Sequence, residues 1–266
     1  MRILLVNDDG IESESLILLA RALKDRHTVT VVAPDSERSA AGHCYTFHLP
    51  LSLKRVTAPV WEGITAYKTN GSPCDCTMLG LGAATDGQVD LVVSGINAGA
   101  NIGTDIPASG TVNAALEAAM RGVPALALSQ EIPFLTPAKG DYTPWFARAA
   151  EMSARLIDTL DCTQLAGYIW SVNYPQTEEI RGVKACPMGV SRNDFSYLPQ
   201  KDHVGREHYW VACERTEKDI NRQNQTDDFW LSQGYITITP MRADFTARDL
   251  IDSVQQTAQE IPFLKK

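Results

Sequence analysis

The chain has 266 residues, 44% of them hydrophobic, with a formal net charge of −8 and a pI near 5.1. That length and apolar content suit one large α/β domain or such a domain with an appended arm. The acidic balance excludes the basic footprint needed to hold a nucleic-acid polymer, but it leaves room for a small anionic substrate, because a bound metal ion reverses the sign of a site locally.

Residues 3–6 (Ile-Leu-Leu-Val) form a short continuous apolar run, the pattern of a buried parallel strand, closed by the turn signal Asp9-Gly10. Across 13–24, Leu16, Leu19, Ala20 and Leu23 recur at helical spacing, with Ser13 or Ser15 as N-cap. Residues 28–33 are β-branched and apolar and stop at Pro34, so strand, helix and strand make a βαβ unit. The alternation continues with a strand over 89–94, a glycine-rich stretch over 95–103, and an alanine-rich helix over 111–121 that starts near Ser109 or Gly110 and precedes Gly122. A strand over 125–129, a helix over 144–160 with Thr143 as N-cap, and a strand over 168–173 ended by Pro175 complete the series. Strands interleaved with helices predict an α/β fold, a Rossmann-like, mostly parallel sheet with helices on both faces, over residues 1–181. Beyond that the pattern loosens. Strands over 208–214 and 235–239 and a helix over 247–259 make residues 182–266 a β-rich C-terminal extension on the core.

In open α/β sheets ligands bind beyond the carboxyl ends of the strands. That rule selects Asn7-Asp8-Asp9-Gly10, Arg38-Ser39, residues 94–103, and Ser109-Gly110-Thr111. Two adjacent carboxylates, Asp8 and Asp9, repel each other unless a cation sits beside them, and oxygen donors suit Mg²⁺ or Mn²⁺. An acidic turn in which one carboxylate caps a helix is the other reading of the same pair. Gly95, Gly99 and Gly103 recur every four residues with Asn97 and Asn101 between them. Glycine admits close approach of backbone N–H groups and asparagine offers a carbonyl oxygen, which points to ligand binding more than to a slack loop. Ser109-Gly110-Thr111 opens a helix whose free N–H groups and dipole favour a phosphate, and ordinary hydroxyl capping is compatible with that role.

The five histidines, His27, His43, His48, His203 and His208, lack metal-binding spacing and read as surface or loop residues. No Gly-x-Ser-x-Gly elbow or Walker-type loop is present, which removes the usual serine-hydrolase and P-loop readings. Six cysteines are scattered apart from Cys74 and Cys76, as expected of reduced thiols in a cytoplasmic protein. No run approaches the roughly 18 apolar residues of a membrane span, and the first apolar run is too short for a signal peptide. A soluble protein without membrane partners is expected.

Taken together, residues 3–10, Val32-Ala33-Pro34-Asp35 through Arg38-Ser39, residues 94–103 and Ser109-Gly110-Thr111-Val112 resemble the SurE family, the stationary-phase survival proteins that act as nucleotidases. Asn70-Gly71-Ser72-Pro73 and residues 234–240 add weaker agreement. The resemblance implies one divalent ion per subunit, Mg²⁺ or Mn²⁺, held by Asp8, Asp9, Ser39 and Asn97. It implies hydrolysis of nucleoside monophosphates, 5′-nucleotides first and 3′-nucleotides as a further class. Asp8, Asp9 and Asn97 would carry the catalysis, and Asn97, Ser109, Gly110 and Thr111 would contact the phosphate. It also implies a homodimer or homotetramer that exchanges C-terminal elements. Ala40 stands where the family usually has glycine, Ala108 where an aromatic usually stands, and Cys74-Asp75-Cys76 is unusual. None replaces a metal ligand. Two other readings are a phosphatase working through an aspartyl-phosphate, and a nucleotide-binding module without turnover. Against the first, haloacid-dehalogenase-type phosphatases use Asp-x-Asp; against the second, a pure phosphate binder gains nothing from two carboxylates.

Overall fold

The computed structural model describes residues 1–132, 141–190, 194–214 and 225–261. In chain order the elements are β1 (Arg2–Val6), α1 (Glu14–Leu23), β2 (Thr28–Pro34), β3 (Lys54–Val56), β4 (Thr65–Thr69), α2 (Pro73–Leu79), β5 (Leu91–Ala98), α3 (Gly110–Met120), β6 (Ala125–Gln130), α4 (Thr143–Thr159), β7 (Ile169–Tyr174), β8 (Val183–Ala185), β9 (Asp194–Lys201), β10 (Glu207–Glu214), α5 (Asp227–Ser232), β11 (Ile236–Met241) and α6 (Ile251–Gln259).

The unbroken apolar run of β1 follows from burial on both faces. Ile3 and Leu5 pack with Leu16, Leu19 and Leu23 of α1 and with Phe146, Ala150 and Ile157 of α4. Leu4 and Val6 face the other way, into a cluster with Cys76 of α2 and Val112, Ala115 and Leu116 of α3. Helices therefore cover both faces of a nine-stranded sheet of order β3-β4-β2-β1-β5-β6-β7-β11-β8. From β4 to β7 every neighbouring pair is parallel. Only β3 on β4 and β11 on β7 run antiparallel. The chain winds outward from β1 through β2 to β4, then restarts at β5 on the other side of β1. The reversal of strand order thus falls between β1 and β5, where such sheets open a crevice at their carboxyl ends.

Several expectations are revised. The strand expected to end at Ser94 runs on to Ala98, with its register against β6 shifted between Ser94 and Asn97. Gly95 sits at φ +124°, and a Cβ there would lie 2.2 Å from the Leu128 carbonyl oxygen, so the close strand pairing requires glycine. Thr143 is the first residue of α4 and not its cap; its hydroxyl instead donates to Glu14. Ser13 occupies the N-cap position of α1 without a side-chain capping bond. Of residues 182–266, β8 and β11 extend the main sheet, while β9 and β10 pair as a separate two-stranded antiparallel sheet.

Candidate metal centre and phosphate site

Asp8 and Asp9 leave the end of β1 beside β5, at the strand-order reversal. Asp8 is 4% exposed, and its Oδ1 accepts a 2.6 Å hydrogen bond from the Thr111 hydroxyl in the first turn of α3. Asp9 is partly buried, and its Oδ2 accepts from the Ala98 N–H at the end of β5 (3.3 Å). Burial pushes the Asp8 carboxyl up against the opposing effect of the Thr111 bond. Burial and the adjacent Asp8 charge push Asp9 up to about 7. Two carboxyls held this close out of water cannot both ionise comfortably without a cation. Asn97, also at the end of β5, donates its amide nitrogen to the Gly99 carbonyl (2.8 Å), which turns the other end of the amide, its oxygen, to other partners. Ser39 lies on the exposed loop after β2, where its hydroxyl donates to Glu37 (2.5 Å). The preceding residue ties the loop to the site, since the Arg38 N–H donates to the Asp8 carbonyl (2.7 Å).

These residues offer two carboxylates, an amide oxygen and a hydroxyl, a hard-oxygen set that fits Mg²⁺ or Mn²⁺. Among the described residues no group of three or more His, Cys, Asp or Glu side chains is gathered to hold an ion. A cation here would therefore take neutral oxygens as well.

The phosphate candidates stand directly above the acids. A Cβ at Gly110 would fall 2.9 Å from both Cβ and Oδ2 of Asp8, so glycine lets the start of α3 approach the carboxylate. The Ser109 hydroxyl accepts from the Val112 N–H (3.0 Å) and caps the helix. The N–H groups of Gly110 and Thr111 belong to the first turn and have no carbonyl within the helix to bond, and the Thr111 N–H is turned to the Asp8 carboxylate. Thr111 thus meets Asp8 through both its hydroxyl and its backbone.

The glycine-rich segment is held at each step. Gly99 N–H donates to the Gln130 carbonyl, Asn101 exchanges hydrogen bonds with Asn173 and donates to Ser129, and Gly103 N–H donates to the buried Asp227 (3.0 Å). Sequence reasoning missed Ser129, Asn173 and Asp227. Their one signal was a polar residue interrupting an apolar strand or opening a short helix. It missed Glu117 too, although a single acid in an alanine-rich helix stands out. His43, read as a loop residue, hydrogen-bonds that glutamate. A polar cavity of about 490 Å³ opens around Met1, Arg2, His27 and Asp90, at the opposite end of β1 from this crevice.

Residues 3–194 match the family profile described as Survival protein SurE. The chain is 38% identical over 262 residues to the 5′-nucleotidase SurE of Thermoanaerobacter sp. (strain X514), covering 95% of this chain and 96% of that one. It is 40% identical over 256 residues to the 5′-nucleotidase SurE of Deinococcus radiodurans, covering 96% and 92%. The crystal structure of the SurE protein from Aquifex aeolicus matches with a TM-score of 0.77 at 30% identity, covering 97% of this chain and 100% of that one.

Proposed function

This chain belongs to the SurE survival-protein family, and from that premise we propose that it is a divalent-metal-dependent phosphomonoesterase acting as a 5′-nucleotidase, with 3′-nucleotides as a further substrate class. The observation that carries the reading is the Asp8–Asp9 pair, set where the strand order reverses and directly beneath the N-terminus of α3. Asp8, Asp9, Asn97 and Ser39 would hold one Mg²⁺ or Mn²⁺. Ser39 would do so with the hydroxyl that donates to Glu37. When bound, the ion supplies Lewis acidity toward a phosphoryl oxygen and the attacking water.

The rest is the work of the chain. Gly110 and Thr111 N–H groups, with the Ser109 hydroxyl and the Asn97 side chain, grip the equatorial oxygens and stabilise their charge as the ester bond breaks. Thr111 fixes Asp8 by its hydroxyl bond. Asp9, held by one longer bond, orients the water and takes its proton. An aspartyl-phosphate route is not favoured, because each acid has one oxygen engaged by a neighbouring donor and the acids are adjacent in sequence.

Residues 1–181 carry the site in this reading and 182–266 supply an arm for a homodimer or homotetramer. The support is an exposed apolar surface on β9 and β10 (Tyr197, Leu198, Tyr209, Trp210 and Val211) and on α6 (Ile251 and Val254). No helix of the described residues is long and apolar enough to cross a membrane. Cys44, Cys74, Cys76, Cys162 and Cys186 are all free thiols, which supports a reducing, cytoplasmic setting.

The test is phosphate release from a panel of nucleoside monophosphates with Mn²⁺, with Mg²⁺, and after chelation. Turnover should vanish with chelator and return with metal, and Asp8→Ala should lose at least 100-fold (an order-of-magnitude figure) while circular dichroism stays unchanged. Substantial turnover by Asp8→Ala, or turnover indifferent to chelator, would remove the reading.

A further inference from the structure

The loop that carries Ser39 joins β2 to β3, and it is tied down on both sides of that residue. Before it, the Arg38 N–H donates to the Asp8 carbonyl; after it, the Gly42 N–H donates to the Ala108 carbonyl (2.9 Å). Next, the Tyr45 hydroxyl and His43 Nε2 donate to the same oxygen of Glu117, at 2.7 and 2.9 Å. Thr46 donates to Asp75 through its hydroxyl (2.7 Å). Glu117 sits on α3, two turns beyond the proposed phosphate site, with 1% of its side chain exposed. Its other oxygen accepts from Arg121 Nε (2.6 Å).

A buried carboxylate is retained only when its oxygens are well bonded. Burial alone would push Glu117 up, yet the bonds from Tyr45, His43 and Arg121 outweigh it and hold the carboxyl below its ordinary value. Conversely, the same carboxylate pushes the Tyr45 hydroxyl up to about 12, so Tyr45 remains a donor. None of the bonds to Glu117 reaches Asp8, Asp9 or Asn97, and the chemistry described above does not account for them.

What they enclose does. Ala40, immediately after Ser39, has φ +57°, a left-handed conformation that disfavours any residue with a Cβ. Such a residue stays there only where its surroundings over-determine it. The Arg38 bond on one side and the Gly42, His43 and Tyr45 bonds on the other supply that constraint. If the Glu117 end lets go, Ala40 loses the constraint on its far side and is free to relax toward negative φ.

We propose that Glu117 is a positioning residue for metal binding: by gripping His43 and Tyr45 it keeps Ala40 left-handed and so presents Ser39 to the Asp8–Asp9 pair. The proposal rests on the ligand set assigned above and deepens it.

The test is Mn²⁺ binding to the full chain, followed by electron paramagnetic resonance and calorimetry, for wild type, Glu117→Gln, Tyr45→Phe, and Glu117→Gln combined with Ala40→Gly. The glutamine presents an amide N–H where donors converge. Glu117→Gln should weaken Mn²⁺ binding roughly 10- to 100-fold, the range for groups that orient metal ligands, and Tyr45→Phe should weaken it by a smaller factor. Adding Ala40→Gly should restore part of the loss, because glycine holds the left-handed conformation unaided. A purely structural role would lower the melting temperature and leave Mn²⁺ affinity of the folded variants unchanged; that result overturns the proposal. Weakened binding with no recovery from Ala40→Gly overturns the route through Ala40. If Glu117→Gln does not fold, Tyr45→Phe with wild-type affinity overturns the proposal by itself. Wild-type protein that binds no Mn²⁺ defeats the underlying ligand assignment, an outcome distinct from a wild type that binds and variants that match it.

Discussion

Asp9, with its carboxyl pushed up to about 7, makes the metal-free protein sensitive to pH near neutrality. Between the ordinary carboxylate value near 4 and about 7, the folded chain keeps a proton that the unfolded chain has lost. Stability of the metal-free form therefore falls as pH rises through that window. Asp9→Asn removes the titration and the repulsion from Asp8. It should raise the urea midpoint of the metal-free protein at pH 8 and flatten the pH dependence between 5 and 8 (working conditions set by the same linkage). An unchanged pH profile in Asp9→Asn would show that another group governs it. In wild type, Mn²⁺ affinity should rise over the same window, since the ion competes with the proton. At this scale the acids were legible from residue type and strand-end position. Their pairing was not: Thr111 reads from sequence as a phosphate contact and Ala98 as part of the glycine-rich stretch, and only the fold places them on Asp8 and Asp9.

The start of α3 joins a helix cap to the proposed phosphate contacts within three residues. Ser109→Ala removes the bond to the Val112 N–H and should cost about 1 kcal/mol of stability, read by urea denaturation. Gly110→Ala should do more to function. The added Cβ meets Asp8 Cβ and Oδ2 at 2.9 Å, so helix and acid must part, and Mn²⁺ affinity and turnover should both fall while helix content is kept. Wild-type metal binding by Gly110→Ala would show that the close approach is incidental. This helix was readable from its alanine run, as was β1 from its apolar run. Shorter elements were not. β3 is only Lys54–Val56, an edge strand with two charged residues, and such edges show no apolar alternation. α2 does carry a signal, the reciprocal capping box between Ser72 and Asp75, but its seven residues are too few for a helical apolar repeat to show.

Across the molecule, the β9–β10 hairpin and α6 expose apolar side chains that the single chain leaves uncovered, with Trp210 65% exposed. An exposed apolar surface of this kind is what the arm proposed above needs in order to associate. Trp210→Glu should therefore shift the sedimenting mass toward that of one chain with little effect on the fold of the core, as expected for a surface change. Wild type sedimenting as a single chain would remove the arm from the account. The hairpin's partner strand β9 was missed from sequence because residues 194–201 mix polar and apolar positions without a buried face to impose alternation.

Residue type and spacing alone determined the parallel core and the position of the acids, because a strand buried on both faces must be apolar throughout and the turn that follows it must carry the polar groups. Only the tertiary structure decided which distant residues meet the acids and the loop beside them. Thr111 reaches Asp8 across 103 positions, Ala98 reaches Asp9 across 89, and Glu117 reaches His43 across 74. Periodicity reports neighbours within a turn or a strand. Contacts between residues so far apart are set by strand order and by the packing of α3 against the sheet, neither of which leaves a repeating mark in the sequence.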